Sequence, residues 1–224
     1  MARYAIGDIH GGSKTLRALL ARLALRHSDR LYLLGDYVDR GNDSKGVLDI
    51  ILDLHSTGFD IRPIRGNHDD MFLRYMTGLH DLHSAYWYTA WGENTLASFR
   101  TGLFLDVPER YLTLIGSMPA MRLEHDYVLV HAALDMSLDD PISKTPEKFM
   151  MWGEIDHVDS ARIGGRTLVS GHRIKPLQTI IDSLATNRIF LDNGACTNRR
   201  NDIGNLIALD LDTRELHLQP WLDD

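Results

Sequence analysis

Short apolar runs alternate with helix-period stretches along the first third of the chain, the pattern of successive βα units. Residues 2–6 read as a strand. After Gly11-Gly12, Ser13 can cap a helix whose Leu16, Leu19, Leu20 and Leu23 share one face. Residues 30–34 form the next strand pattern. Asp43 or Ser44 can cap a second helix with Val47, Ile50, Ile51 and Leu54 on one side and Gly58 just past its end, and residues 61–64 read as a third strand. From Asp69 to about Met118 the pattern turns helical and aromatic, through Met71, Phe72, Tyr75, Tyr86, Trp87, Trp91, Leu96 and Phe99, which predicts a helical insertion at about 69–118. Beyond it, residues 121–123 and 127–130 flank His125-Asp126 as paired strands. Residues 167–170, 179–181, 189–191, 206–209 and 216–219 are further strand candidates. This order suits an α/β protein with two packed sheets and helices outside better than one doubly wound sheet.

Composition narrows the reading without redirecting it. A chain of 224 residues, 44% hydrophobic and 25% charged, is expected to form one domain over 1–224 with a sizeable core. Net charge is −7 with no long run of one sign, which disfavours nucleic acid as a partner but leaves room for locally placed cations. Cys196, the only cysteine, can form neither an intramolecular disulfide nor a thiolate zinc site and reads as a packed thiol. No secretory pattern follows Met1 and no apolar segment approaches transmembrane length, so no membrane partner is expected and the cytoplasm is the expected compartment. Oligomeric state stays open.

The chemistry lies in three segments, each set straight after an apolar run: Gly7-Asp8-Ile9-His10-Gly11, Gly35-Asp36-Tyr37-Val38-Asp39-Arg40-Gly41 and Gly66-Asn67-His68-Asp69. Asp8 and His10 are two apart, so at an extended strand end they fall on the same face. Asp36 and Asn67 follow the next two strands, and open α/β sheets collect ligands at such carboxyl ends. Carboxylate and amide oxygens mixed with imidazole suit a pair of divalent cations, and Arg40 beside them suits a phosphate oxyanion. Gly7, Gly35 and Gly66 each precede the polar group, where the backbone must turn sharply or approach a ligand. A dinucleotide fingerprint starting at Gly7 would need glycine where Ile9 stands, which removes that alternative. His131 and His172 also sit just past apolar strands and join the candidate ligands, whereas His27, His55, His80, His83, His125, His157 and His217 lack such a frame and read as structural or solvated.

These segments resemble the signatures of the metallophosphoesterase superfamily, and more narrowly of the phosphoprotein phosphatase family, with Asp69 where that family carries glutamate. The resemblance runs from Tyr4 through His172 to Asp192-Asn193-Gly194. It implies a calcineurin-like metallophosphoesterase fold of two packed mixed β-sheets flanked by helices. It also implies two divalent ions, manganese before iron or zinc. Asp8 and His10 would bind the first, Asp36 would bridge, and Asn67, His131 and His172 would complete the second. His68 would be the general acid, Asp39 its partner, and Arg40, with Asn67, would hold phosphate oxygens. Small bacterial members carry Trp-x-Arg late in the chain, where Trp152-Gly153-Glu154 stands here, and threonine where Arg173 follows His172. Either Arg173 substitutes for the missing cation, or the pocket prefers another phosphate substrate, or Glu154 points to solvent.

The expected chemistry is hydrolysis of serine or threonine phosphate esters by a hydroxide bridging two cations roughly 3.5 to 4 Å apart, with His68 protonating the leaving oxygen. A dinucleoside polyphosphate hydrolase, cleaving symmetrically, is the runner-up. Its usual second motif lacks the carboxylate corresponding to Asp39, which favours a phosphoprotein substrate, while the change at Glu154 weakens that preference toward the dinucleotide or another small phosphoester substrate. A noncatalytic phosphate-binding module is the third reading.

Overall fold

The computed structural model describes residues 1–79, 81–101, 104–197 and 202–223. In chain order, β1 (Arg3–Ile6), α1 (Ser13–Leu23), β2 (Arg30–Leu33), α2 (Ser44–Ser56) and β3 (Asp60–Pro63) are followed by α3 (Asn67–Met76), α4 (Leu82–Trp87), a π-helical turn (Tyr88–Gly92) and α5 (Glu93–Ser98). A short pair, β4 (Arg100–Thr101) and β5 (Phe104–Leu105), precedes α6 (Glu109–Ser117). Then come β6 (Met121–Leu123), β7 (Tyr127–Val130), α7 (Pro141–Lys144), α8 (Glu147–Trp152), a 3-10 turn (Ser160–Ile163), β8 (Thr167–Ser170) and α9 (Leu177–Ser183). The chain closes with β9 (Arg188–Phe190), β10 (Asp192–Asn193), β11 (Asn205–Asp210) and β12 (Leu216–Pro220).

Two mixed sheets result. One has the order β10-β11-β1-β2-β3 with β12 on β11, and its β1, β2 and β3 run parallel; the other is β6-β7-β8-β9, with β7, β8 and β9 parallel. The side-chain period of two explains how they stack. Along β2 and just beyond it, Leu31 and Leu33 face the helices while Tyr32 and Leu34 join Ala5, Ile64, Leu129, Val169, Ile189 and Ile207 between the sheets. Along β7, Tyr127 and Leu129 point inward while Val128 and Val130 pack outward with Met150, Val158 and Ile163. Buried on both faces, these strands carry the continuous apolar runs seen in the sequence. The layers are helix, sheet, sheet, helix, and the carboxyl ends of the parallel strands in both sheets open onto one edge. No helix among the described residues is long and apolar enough to cross a membrane.

Two local expectations are corrected and one open choice is decided. Residues 179–181 lie in α9 and are not a strand: the β-branched run Thr179-Ile180-Ile181 follows Pro176 at the helix start, only Ile180 of the three is buried, and the parallel β8–β9 pair requires a crossover there. Ser13 does not cap α1, because Gly12 holds the cap position and Asp223 instead accepts from the backbone N–H groups of Lys14 and Thr15, both at 2.9 Å. At α2 the choice falls to Asp43, whose carboxylate accepts from the Gly46 N–H at 2.9 Å. The expectation that His80 is structural or solvated lies outside the described residues.

Candidate active site

The loops after β1, β2 and β3 lock into one another before any ligand is considered. His10 N–H donates to the Asp36 carbonyl at 2.8 Å and Gly11 N–H to that of Tyr37 at 2.9 Å. Asp69, in the first turn of α3, accepts from the backbone N–H of Asp36 (2.8 Å), Tyr37 (2.9 Å) and Gly66 (3.0 Å), tying the second and third segments together. An aspartate there therefore has a structural task, which the comparison with glutamate did not suggest. Gly35 has φ +96°, and a Cβ on it would come within 2.6 Å of the Gly66 backbone. His10, Asp36, Asp39, Arg40 and His172 all hold positive φ, a concentration of backbone strain of the kind found at functional sites.

Asp36 stands at the centre. One carboxylate oxygen lies 3.5 Å from His10 Nε2, and the other lies 3.4 Å from His131 Nε2. Two donors each about 2.1 Å from a cation are about 3.0 Å apart at a right angle and about 3.4 Å apart at the tetrahedral angle, so both separations suit a shared ion. Two sets of donor atoms, His10/Asp36/His68 and Asp36/His131/His172, each fall within 4.8 Å of one another with Asp36 common to both. Asp8 is less tightly placed than expected. Its carboxylate is 4.0 Å from His10 Nε2 and accepts the backbone N–H of His172 at 3.0 and 3.1 Å. A side chain on Gly171 would collide with that carboxylate.

Donor chemistry tests whether cations fit. His10 donates Nδ1–H to the Val38 carbonyl at 3.0 Å, which turns Nε2 inward, and that buried nitrogen has no hydrogen-bond partner. His131 donates Nδ1–H to the Leu34 carbonyl at 2.7 Å, which turns its Nε2 toward the Asn67 Oδ1 at 2.8 Å, and His172 Nδ1 approaches the same oxygen at 3.0 Å. Acceptors turned toward one another need a proton or a metal between them. Burial would lower the His131 pKa, but the Asp36 carboxylate overrides it and pulls the imidazole up to about 10. Burial, then the His131 charge, pushes His172 down to about 4. For Asp36, burial is overridden by the surrounding imidazoles, His131 foremost, which hold its carboxyl well below the usual range. Burial and the neighbouring Asp192 push Asp8 well above its usual value. Buried acids in excess of local cations, beside an orphan imidazole nitrogen, are a fitting bed for divalent ions.

The remaining predicted residues border this cage. His68 Nδ1 meets Asp39 Oδ2 at 2.5 Å, leaving Nε2 facing inward, 4.0 Å from Asp36. Asp39 is itself fully buried and accepts from Trp87 Nε1 at 2.8 Å and Thr95 Oγ1 at 2.6 Å. The π-helical turn between Trp87 and Thr95 adjusts the helix phase so that Trp91 also reaches the site, its ring 4.7 Å from that of His68. Half-buried Arg40 faces Asp36, Asp192, Asp8 and the Cys196 thiol, which burial pushes up to about 11. Glu154 does not enter the cage: it is 66% exposed and pairs with Arg173 at the rim. Asp192, held near Arg40 and Asp8, belongs to the site although only its place in a motif hinted at it.

A two-sheet α/β sandwich with an aspartate-centred histidine cage at the strand ends defines a metal-dependent phosphoester hydrolase. The chain belongs to the calcineurin-like phosphoesterase family, whose profile matches residues 1–173. It is similar to the symmetrical bis(5'-nucleosyl)-tetraphosphatase of Nitrosospira multiformis, at 31% identity over 137 residues, covering 60% of this chain and 44% of that protein. The enzyme of the same name from Dechloromonas aromatica is 36% identical over 137 residues, with the same coverage. The chain thus spans less than half the length of these curated relatives. Among solved structures, that of a candidate diadenosine tetraphosphatase aligns with TM-score 0.71 and 20% identity over 100% of this chain and 95% of that one. A Saccharomyces cerevisiae serine/threonine phosphatase aligns at 0.58 with 13% identity, covering 100% and 81%.

Proposed function

We propose that the chain hydrolyses dinucleoside polyphosphates, cleaving the phosphate chain symmetrically with two divalent ions, manganese before iron or zinc. Asp8, His10 and Asp36 would hold one ion and Asp36, Asn67, His131 and His172 the other. Such a pair supplies a water-derived nucleophile at neutral pH and offsets charge on the phosphate. Arg40 neutralises a non-bridging phosphate oxygen. With its Oδ1 turned to His131 and His172, Asn67 has its amide N–H groups left to donate to another. His68 Nε2 delivers a proton to the leaving oxygen as the P–O bond breaks, and Asp39 fixes the ring through Nδ1.

The observation that carries the nucleotide reading is the aromatic ledge on the His68 side. Trp91 lies against His68, and Tyr86, 59% exposed, meets Trp91 edge to face at 5.2 Å. A half-buried tryptophan and an exposed tyrosine beside a leaving-group acid suit a departing nucleotide better than a peptide hydroxyl. Similarity to the symmetrical tetraphosphatases supports the same reading.

A second reading, hydrolysis of serine or threonine phosphate esters in proteins, is favoured by the Asp39–His68 pair. An alkoxide needs a proton far more than a nucleoside diphosphate does. The test is kcat/KM with manganese on diadenosine tetraphosphate beside phosphoserine, phosphothreonine and phosphotyrosine peptides. Preference for the dinucleotide is expected, and preference for phosphothreonine or phosphoserine would replace the first reading with the second.

A further inference from the structure

Next to the donor set of Asp36, His131 and His172, which does not include His68, lies a cavity of about 240 Å³ lined by Trp152, whose ring neighbours that of His172. It is joined to the cage by two elements. Along α3, Asn67 is followed on the same face by Asp70, Met71 and Arg74, all of which line the cavity, about 4.5 to 10.5 Å further along the axis. Across from them, Trp152 sets its ring 6.2 Å from that of His172 and 5.3 Å from that of His83. The cavity therefore has an aromatic wall of Trp152 and His83 and a thioether floor at Met71. Its rim carries both charges: Arg65 lies 3.3 Å from the Asp70 carboxylate and bonds Glu147 at 3.0 Å, Arg74 bonds Asp81 at 2.7 Å, and Lys148 has no ion-pair partner among the described residues.

An aromatic wall of two rings tilted 41° to one another, ringed by both hydrogen-bond donors and acceptors, matches a heteroaromatic base, which presents a π-face and a mixed polar edge. The space suits a nucleoside and is too small for a folded peptide segment. We infer that this cavity is a purine-nucleoside subsite, taking the base of the nucleoside diphosphate half that stays opposite the leaving group, with its ring against Trp152 and His83. The inference rests on the dinucleotide reading. In a symmetrically cut four-phosphate chain, the phosphorus attacked is separated from the retained nucleoside by one further phosphate. The path from Asn67 along α3 into the cavity accommodates that single phosphate and the ribose.

His83 is exposed, so its replacement leaves the core intact. The experiment measures kcat/KM for diadenosine tetraphosphate and for 4-nitrophenyl phosphate, each with manganese, in the wild-type chain, His83→Ala and His83→Phe. The expected result is that His83→Ala lowers the ratio of the two about tenfold, while His83→Phe, which keeps a stacking ring, restores it to within about twofold. Dinucleotide turnover with a ratio insensitive to His83→Ala, or a ratio that Phe fails to restore, overturns the subsite and leaves the substrate reading standing. Turnover of the aryl phosphate with none of the dinucleotide overturns both.

Discussion

Asp39→Asn separates the proton-delivery role of His68 from metal binding. The carboxylate accepts from His68, Trp87 and Thr95, and an asparagine amide keeps only one oxygen to do so. Its NH2 group, if turned to His68, faces Nδ1 as a donor and removes the negative partner of the imidazolium. If turned to Trp87 or Thr95, it meets another donor. At least one buried donor is then left unsatisfied, a cost of about 1 to 3 kcal/mol. A positioned general acid contributes about 10²- to 10⁴-fold, and most of that is exposed only when the leaving group is strongly basic. The assay compares a phosphothreonine peptide with 4-nitrophenyl phosphate, together with metal content and urea unfolding. The peptide rate should fall at least about a hundredfold and the aryl rate less than about tenfold, with metal content unchanged and stability lower by about 1 to 3 kcal/mol. Equal losses on both substrates with metals retained would refute the reasoning, because Asp39 would then serve the fold and not the proton.

Further consequences are open to direct measurement. Asp36→Ala should abolish binding of both ions in elemental analysis, since one carboxylate faces both donor sets; retention of the full metal content would contradict that. Metal loading should release protons. The His131 imidazole, raised to about 10 by Asp36 despite its burial, is protonated at neutral pH and must lose that proton to bind a cation, so apparent affinity rises as pH rises toward 10. Calorimetry in buffers of different ionisation enthalpy would detect it, and buffer-independent heats would argue against it. Asp223→Ala removes the acceptor for the Lys14 and Thr15 N–H groups and should lower stability in urea by about 1 to 2 kcal/mol, with kcat little changed. An unchanged midpoint would mean that α1 finds its cap elsewhere.

Much of the cage was legible because it is local. Each motif sits at the end of a parallel strand, so the apolar run announces the strand and the glycine-polar break announces where it delivers its ligands. His131 and His172 were legible on the same grounds. What was hidden depends on contacts between distant segments. Trp87 and Thr95 reach Asp39 across 48 and 56 residues, and Asp223 caps α1 from 208 residues away. No spacing rule encodes such pairs. Residues 179–181 misled for another reason: β-branched composition favours a strand, but the parallel neighbour requires a crossover, and the topology prevails over propensity. Glu154 and Arg173, the two positions that depart from the family pattern in the sequence, stand next to each other at the rim.

The central claim is that one carboxylate, Asp36, is shared by two cations. Anomalous scattering from crystals grown with manganese tests it most directly. Two peaks about 3.5 to 4 Å apart, one beside His10 and one between His131 and His172, each in contact with Asp36, are the predicted result. A single peak, or two peaks that leave Asp36 outside the coordination of either, would contradict it.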